Sequence, residues 1–216
     1  ENVLVINDSI HIDAPMLSIN MLERYVTGNE ICVAPRLSDY HRQYIPVKST
    51  PIVEDNTLKT VASTSVSEKS STLYPFDFIG IYNRQRFIRI GGFDSTIKTP
   101  YWQNLDFSVR AWLWGEKIVI VPLFQLSYDD DIPIEDSTPD LSQLRFYLKN
   151  CAPKYANDRC YIPISRFFNY MKKAGTGFSD TRHHFLEARR WVEKNKYYFV
   201  LFRQNSFYIN HKHFYL

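Results

Sequence analysis

Short apolar runs separated by polar turns fill the first 125 residues of the chain and predict a sheet flanked by helices. The first run, residues 3–6, is continuous and rich in β-branched side chains, which is typical of a buried parallel strand. Strands are predicted at residues 3–6, 30–35, 76–82 and 118–121, and helices at residues 15–25, 83–90 and 108–114. This order of elements indicates an α/β fold with a mixed sheet.

Other stretches break this pattern. Residues 48–72 are rich in Ser, Thr, Lys and Glu with few large apolar side chains, so we predict a loop or insertion there. Pro122 is expected to end the strand at residues 118–121. From Leu141 onward the pattern becomes helical, with Asp180 as the expected N-cap of a helix at residues 181–196 and a hairpin at residues 197–208.

Charge divides the 216 residues into two segments of opposite sign. Residues 1–140 contain 12 Lys and Arg against 19 Asp and Glu, whereas residues 141–216 contain 14 against 4. We therefore predict an α/β domain over residues 1–140 and a basic, aromatic-rich helical appendage over residues 141–216. Such an appendage favours phosphates, anionic lipid headgroups or nucleic acid, unless it is only a solvated helical face. Lys172, Lys173, Arg189 and Arg190 are its candidate contacts to an anionic lipid or a phosphorylated acceptor.

Cysteine content and hydropathy bear on the compartment. Cys32, Cys151 and Cys160 are odd in number and contain no Cys-x-x-Cys pair, so a disulfide framework or zinc site is not expected. The longest apolar run is shorter than a membrane span. We predict a cytoplasmic protein with peripheral contact to an anionic membrane through residues 141–216. Because the chain begins at Glu1 within an apparent strand, we expect a fragment of a longer protein.

Two adjacent glycines open the most informative segment. Gly91 and Gly92 precede a Phe and Asp94, and the helix that follows places Asp106 and Arg110 one turn apart. A tight turn beside aromatic residues and a helix-borne acid favours a pocket for a polar, ring-shaped molecule. Two structural alternatives stay open, since Asp106 and Arg110 can form a helix-stabilising ion pair and Asp94 can cap a turn.

The order of these motifs is similar to that of a known enzyme family. A strand ends in Asn7-Asp8-Ser9, a helix and a strand follow, and Arg84 and Phe87 precede the Gly-Gly-Phe-Asp block. Over residues 1–125 the chain resembles the carboxyl-terminal half of a family 2 glycosyltransferase of GT-A fold. The resemblance implies a GT-A-like mixed sheet without the nucleotide-binding half. It also implies transfer of a hexosyl unit from a nucleotide sugar to a hydroxyl group on a glycan or lipid-linked acceptor.

The resemblance assigns roles to particular residues. Donor and metal contacts fall on Asn7, Asp8, Ser9 and Arg110, with Mg²⁺ or Mn²⁺ as the metal. Acceptor contacts fall on Gly91, Gly92, Asp94, Trp102, Gln103 and Asn104.

Several of these positions depart from the family pattern. Asn7 and Ser9 replace carboxylates, which leaves Asp8 as a weak metal ligand. Gln103 and Asn104 replace the acidic pair that supplies the base, and an amide cannot accept a proton near neutral pH. Asp106 is then the candidate base.

Two other functions stay open at this stage. Loss of acidic groups from one site also suits a catalytically inactive sugar-binding or scaffolding module of the same fold. The basic, aromatic carboxyl-terminal segment suits a nucleic-acid binder, although it contains no named recognition motif, so nucleic acid is not our expected partner.

Overall fold

The computed structural model describes residues 1–12, 17–26, 28–54, 57–156 and 159–198. The chain forms two compact units that alternate along the sequence. Unit 1 comprises Glu1–Ile52, Lys59–Gly92 and Glu116–Glu135; unit 2 comprises Val53–Leu58, Phe93–Gly115 and the chain from Asp136 onward. The helix after the glycine pair groups with the carboxyl-terminal helices in unit 2.

The described residues contain the following strands and helices. The strands are β1 (Asn2–Val5), β2 (Ile10–His11), β3 (Cys32–Ser38), β4 (Lys48–Glu54), β5 (Thr57–Ser63), β6 (Ser70–Thr72), β7 (Gly80–Asn83), β8 (Ile118–Tyr128), β9 (Lys154–Ala156) and β10 (Arg159–Tyr161). The α-helices are α1 (Ile19–Tyr25), α2 (Arg84–Arg89), α3 (Pro100–Leu113), α4 (Leu141–Asn150), α5 (Arg166–Ala174) and α6 (Phe178–Lys194). None of these helices is both long enough and apolar enough to cross a bilayer.

Unit 1 contains a mixed sheet with the strand order β1-β7-β3-β8-β2, and β6 also pairs with β8. β3 and β8 are parallel, and the other pairs are antiparallel. Because β1 and β3 are both antiparallel to β7, strands β1, β3 and β8 run in the same direction and their carboxyl ends meet at one edge. The predicted α/β class with a mixed sheet is confirmed.

Apolar side chains of the central strands build the core of unit 1. Val33, Ile81 and Ile120 are almost completely buried, and Tyr25 of α1 stacks on Phe124 with ring centroids 4.9 Å apart. This burial explains why the short β-branched runs at β3 and β8 could be predicted as strands.

Several predictions for unit 1 were wrong. β1 is an edge strand paired with antiparallel β7, not a buried parallel strand. Residues 48–72 contain β4, β5 and β6 in place of the predicted loop, because Thr and Val suit extended pairing even in a polar segment. β8 continues past Pro122 to Tyr128, since a bulge at residues 122–124 lets the parallel pairing with β3 resume at Gln125.

The helix that leads to the glycine pair was predicted correctly. α2 follows Asn83, whose side-chain oxygen accepts a hydrogen bond from the Arg86 amide at 3.0 Å. The helix ends at Arg89 with Ile90 as its C-cap, and Gly91 and Gly92 follow with φ values of +88° and +60°.

Unit 2 is mainly helical: α3 packs on α4, α4 on α5 and α6, and α5 on α6. α3 begins at Pro100, well before the predicted start at residue 108, with Thr99 as its N-cap. α6 follows Gly177, so Asp180 lies in its first turn and the predicted N-cap was wrong. Most of the predicted hairpin at residues 197–208 lies outside the described residues.

Candidate functional site

The turn after β1 places Asn7, Asp8 and Ser9 at the shared carboxyl edge of β1, β3 and β8. Asn7 Oδ1 accepts a hydrogen bond from the Ser9 amide at 3.2 Å, which closes the turn, and the Ser9 carbonyl accepts one from the Asp129 amide at 2.9 Å. The Asp8 side chain is exposed. Open α/β sheets bind their ligands at this edge, so the turn occupies a favourable position for a site.

Asp77 approaches the same turn from a 3-10 turn (Phe76–Phe78) that precedes β7. Its carboxylate accepts hydrogen bonds from Asn7 Nδ2 at 2.9 Å and from the Tyr128 hydroxyl at 3.2 Å. Asp77 has φ +50° and Phe78 has φ +60°, so two consecutive non-glycine residues adopt the left-handed conformation. Asp tolerates that conformation, but for Phe78 it costs about 1–2 kcal/mol, and such strain is concentrated at functional sites.

Glu135 adds a second carboxylate to this edge. The Tyr74 hydroxyl donates to it at 2.7 Å. Burial raises the pKa of Glu135, the Tyr74 hydrogen bond partly offsets that effect, and the charge of Asp77 raises the pKa further. Burial and the same Asp77 charge also raise the pKa of Tyr128. We call this group the strand-end cluster, and it consists of Asn7, Asp8, Ser9, Asp77, Tyr128 and Glu135.

The cluster does not fit the expected divalent metal. Among the residues that the structure describes, no three His, Cys, Asp or Glu side chains come together in an arrangement that could hold an ion. Mg²⁺ and Mn²⁺ prefer shells of several oxygen ligands, whereas Asn7 uses its side-chain oxygen within its own turn. The predicted weak metal ligand, Asp8, is accompanied by no such shell in the described residues.

The glycine pair has a clear steric role. With φ +60°, Gly92 adopts a conformation that other residues rarely take. A Cβ atom at Gly92 would also lie 2.9 Å from Cε1 of Phe87. A larger residue at Gly92 would be strained and would force the Phe87 ring to shift, which explains this glycine without a ligand.

Asp94 belongs to unit 2 and is held by cations. Its Oδ1 accepts a hydrogen bond from the Thr96 amide at 3.0 Å, and its Oδ2 lies 2.7 Å from Lys149 Nζ and 3.3 Å from Arg145 Nε. Burial alone would raise the pKa of Asp94, but the charge of Lys149 and the hydrogen bonds from Lys149 and Thr96 outweigh it and lower the pKa. Asp94 thus caps a turn, as the structural alternative predicted, and also ion-pairs with α4.

Asp106 is completely enclosed in unit 2. Its carboxylate lies 2.6 Å from Arg110 Nη2, 3.0 Å from Lys149 Nζ and 2.7 Å from Asn150 Nδ2. Its side chain has 0% exposure and that of Arg110 has 2%. Burial would raise the pKa of Asp106, but the charges of Lys149 and Arg110 lower it instead. A weakly basic carboxylate that no acceptor hydroxyl can reach is a poor general base, so this geometry does not support the catalytic assignment of Asp106 or the diphosphate contact of Arg110.

Three further predicted acceptor contacts, Trp102, Gln103 and Asn104, also lie in unit 2. Trp102 is 5% exposed, and its indole nitrogen donates to the Thr138 carbonyl at 3.0 Å. Gln103 donates to the carbonyl of Asp94 at 2.9 Å and thereby holds the preceding loop. Asn104 is 2% exposed. These side chains organise the loop and the start of α3, and neither Trp102 nor Asn104 faces solvent.

Sequence reasoning missed both Asp77 and Glu135 as site residues. A usable signal was present at Asp77, because an acid between two aromatic residues directly before a strand is unusual in a buried segment. No local signal marks Glu135, whose relation to Asp77 depends on the pairing of distant strands.

Comparisons with known proteins place few constraints on the chain. No protein-family model matches it, and no curated protein matches it. Among solved structures, it is similar to a crystal structure of GalNAc-T7 with UDP, GalNAc and Mn²⁺, at 11% sequence identity and a TM-score of 0.41. The alignment covers 88% of this chain and 37% of that chain, so this chain spans little more than a third of the GalNAc-T7 structure. A likeness this distant does not establish a common fold.

Proposed function

We propose that the chain is a glycosyltransferase-like domain of GT-A-like architecture whose strand-end cluster binds a nucleotide sugar. The observation that carries this proposal is Asp77, whose carboxylate is held beside Asn7 at the carboxyl edge of the sheet by a left-handed backbone that continues through the strained residue Phe78. The order of two motifs along the chain also supports the proposal: the Asn7-Asp8-Ser9 turn comes first and the Gly-Gly-Phe-Asp block follows.

Hydroxyl groups are the natural ligands of this cluster. A carboxylate accepts hydrogen bonds from sugar and ribose hydroxyls through either oxygen, and Asp8 and Asp77 are the proposed contacts. Without a metal shell, two carboxylates would repel a diphosphate, so we place the hydroxyl-bearing rings of the donor against them. The proposed contacts involve no metal ion.

The proposed reaction is transfer of a hexosyl unit to a hydroxyl group on a glycan or lipid-linked acceptor. The acceptor oxygen forms a bond to the anomeric carbon, the bond to the nucleoside diphosphate breaks, and the acceptor proton passes to a base. Glu135 replaces Asp106 as the proposed base, because its pKa is raised and it belongs to the strand-end cluster.

Calorimetric titration with UDP- and GDP-hexoses, in Mg²⁺, Mn²⁺ or EDTA, tests this proposal. We expect the wild-type chain to bind a nucleotide sugar and Asp77→Asn to weaken binding about tenfold or more, as expected for loss of hydrogen bonds to a charged group. Asn tolerates the left-handed conformation, so the variant keeps the backbone. Asp130→Asn, an exposed residue just after β8, makes the same charge change as a control. Equal binding by Asp77→Asn and wild type would reject the assignment.

A sugar-binding or scaffolding module without catalytic activity is the alternative, and the enclosure of Asp106 is the observation that speaks for it. The two functions differ in their ligands. Binding of glycans without binding of any nucleotide sugar, in any of the metal conditions, would select the module over the enzyme.

A further inference from the structure

Unit 2 exposes large apolar side chains near the starts of α5 and α6. Ile164, Phe168 and Phe178 have exposures of 65%, 61% and 64%. The Phe167 ring joins two of them, with its centroid 5.8 Å from that of Phe168 and 5.9 Å from that of Phe178. We call the three Phe residues, together with the neighbouring Ile164, the aromatic patch. Contiguous exposed apolar surface of this kind marks an interaction site.

Cations border the aromatic patch. Lys172 lies one helical turn after Phe168 in α5, and Arg182 lies one turn after Phe178 in α6, so each exposed ring shares a helix face with an exposed cation. Lys173 is exposed beside Lys172. The basic residues are therefore placed where they border the aromatic side chains.

A groove of about 560 Å³ lies further along α6. Its lining includes the apolar side chains of Ile162 and Leu186, three cations (Arg189, Arg190 and Lys194) and one carboxylate, Glu193. One face of α6 carries four residues spaced four, four and three positions apart, namely Phe178, Arg182, Leu186 and Arg189. The aromatic patch and the groove thus share a single surface with a net positive charge.

We propose that this surface docks on an anionic phospholipid bilayer. Phe168 and Phe178 enter the interfacial region, and the cations of α5, α6 and the groove contact the phosphate-bearing headgroups. Exposed aromatic side chains combined with Lys and Arg are what an interfacial helix needs. Residues 141–216 contain 14 cations and 4 acids, so a clear cationic excess remains for the same occupant even when the buried Lys149 is left out. A nucleic acid would use the cations but would gain little from an exposed aliphatic side chain such as Ile164. This proposal is independent of the strand-end cluster.

Co-sedimentation with phosphatidylcholine vesicles, with and without phosphatidylserine, tests the proposal on the full chain. We expect binding only to the vesicles that contain phosphatidylserine. Lys172→Glu with Lys173→Glu should reduce the vesicle partition coefficient about tenfold or more, because each lost cation weakens attraction to the anionic surface. Phe168→Ser with Phe178→Ser should also reduce it about tenfold, because two rings no longer leave water.

Matched controls use exposed residues elsewhere in the chain. Ile88→Ser with Leu123→Ser removes apolar side chains that are 57% and 75% exposed, and Lys98→Glu with Lys117→Glu makes the same charge change. Both controls should partition like wild type, and circular dichroism should show that every variant is folded. Three results would overturn the proposal. The first is equal binding to vesicles with and without phosphatidylserine, and the second is an unchanged partition coefficient for Phe168→Ser with Phe178→Ser. The third is displacement of the protein from vesicles by single-stranded RNA at equal phosphate concentration.

Discussion

At the scale of single residues, Lys149 is the organising cation of unit 2. It is 1% exposed, and its ammonium group lies 2.7 Å from Asp94, 3.0 Å from Asp106 and 4.6 Å from the centre of the Trp191 ring. A buried ammonium group is tolerated only when its charge is matched, and the two carboxylates match it here. The Lys149 ammonium group therefore links three parts of unit 2: the loop before α3, helix α3 and helix α4.

Replacement of Lys149 by Met should destabilise the protein by about 3–5 kcal/mol, because two partly or fully buried carboxylates lose their shared cation. Lys98→Met removes an exposed lysine of the same unit and should change the free energy of unfolding by less than about 0.5 kcal/mol. Urea denaturation followed by circular dichroism measures both. Equal midpoints for the two variants would show that Lys149 is not needed to balance the carboxylates.

Of the contacts around Asp106, the sequence indicated the one with Arg110 but not the one with Lys149. Asp106 and Arg110 are four residues apart in a helix, so their ion pair was an open alternative from spacing alone, and it forms at 2.6 Å. Lys149 lies more than forty residues away from Asp106. Nothing local links it to the pair, because the contact depends on how α4 packs on α3. The enclosure that argues against Asp106 as a base was therefore beyond sequence reasoning.

At the scale of elements, a helix whose ends depend on local signals was predicted well, whereas strand pairing was not. α2 follows its capping residue Asn83 and stops before a glycine pair, and both signals lie within a few residues of the helix. The full length of β8 depends instead on β3, which accepts the strand again beyond the bulge at residues 122–124. A proline that ends an isolated strand does not end a paired one when a bulge takes it out of the ladder.

Two glycines share one backbone conformation, so comparing them isolates the steric effect of the Phe87 ring at the end of α2. Gly92 and Gly175 have φ values of +60° and +61°, but only Gly92 would place a Cβ atom against a neighbour, the Phe87 ring. Gly175→Ala should cost about 1 kcal/mol for the left-handed backbone alone. Gly92→Ala should cost at least about 1 kcal/mol more, since a rigid ring must also shift. Thermal and urea unfolding would measure both costs, and equal losses would mean that Phe87 yields freely.

At the scale of the whole molecule, buried carboxylates of the two units have pKa shifts of opposite sign, although burial acts to raise the pKa in both units. In unit 2, cations outweigh burial and lower the pKa values of Asp94 and Asp106. In unit 1, the hydrogen bond from Tyr74 does not outweigh burial and the nearby charge of Asp77, and the pKa of Glu135 is raised. The basic carboxyl-terminal segment explains the first case, because it supplies Lys149 to the two acids of the segment before it.

This difference gives the two sets of carboxylates opposite pH dependences. A carboxylate whose pKa is lowered by folding stabilises the folded state above its unfolded pKa, about 3.9 for Asp, and this stabilisation is lost as the pH falls toward the folded value. Asp94 and Asp106 should therefore make the protein less stable as the pH decreases below about 4. A carboxylate with a raised pKa acts in the other direction. Glu135 should reduce stability as the pH rises from about 4.3 through its raised value.

Urea unfolding of wild type, Asp106→Asn and Glu135→Gln across the acid range separates these contributions. Asp106→Asn should be less stable than wild type near neutral pH, and the gap should narrow as the pH falls below about 4, because wild type then loses the same negative charge. Glu135→Gln should lack the loss of stability that wild type shows as the pH rises above about 4.3. Asp130→Asn, exposed and in unit 1, should follow the wild-type curve throughout. A gap that stays constant with pH would mean that folding does not shift the pKa of Asp106, which would contradict its charge pairing with the cations of α3 and α4.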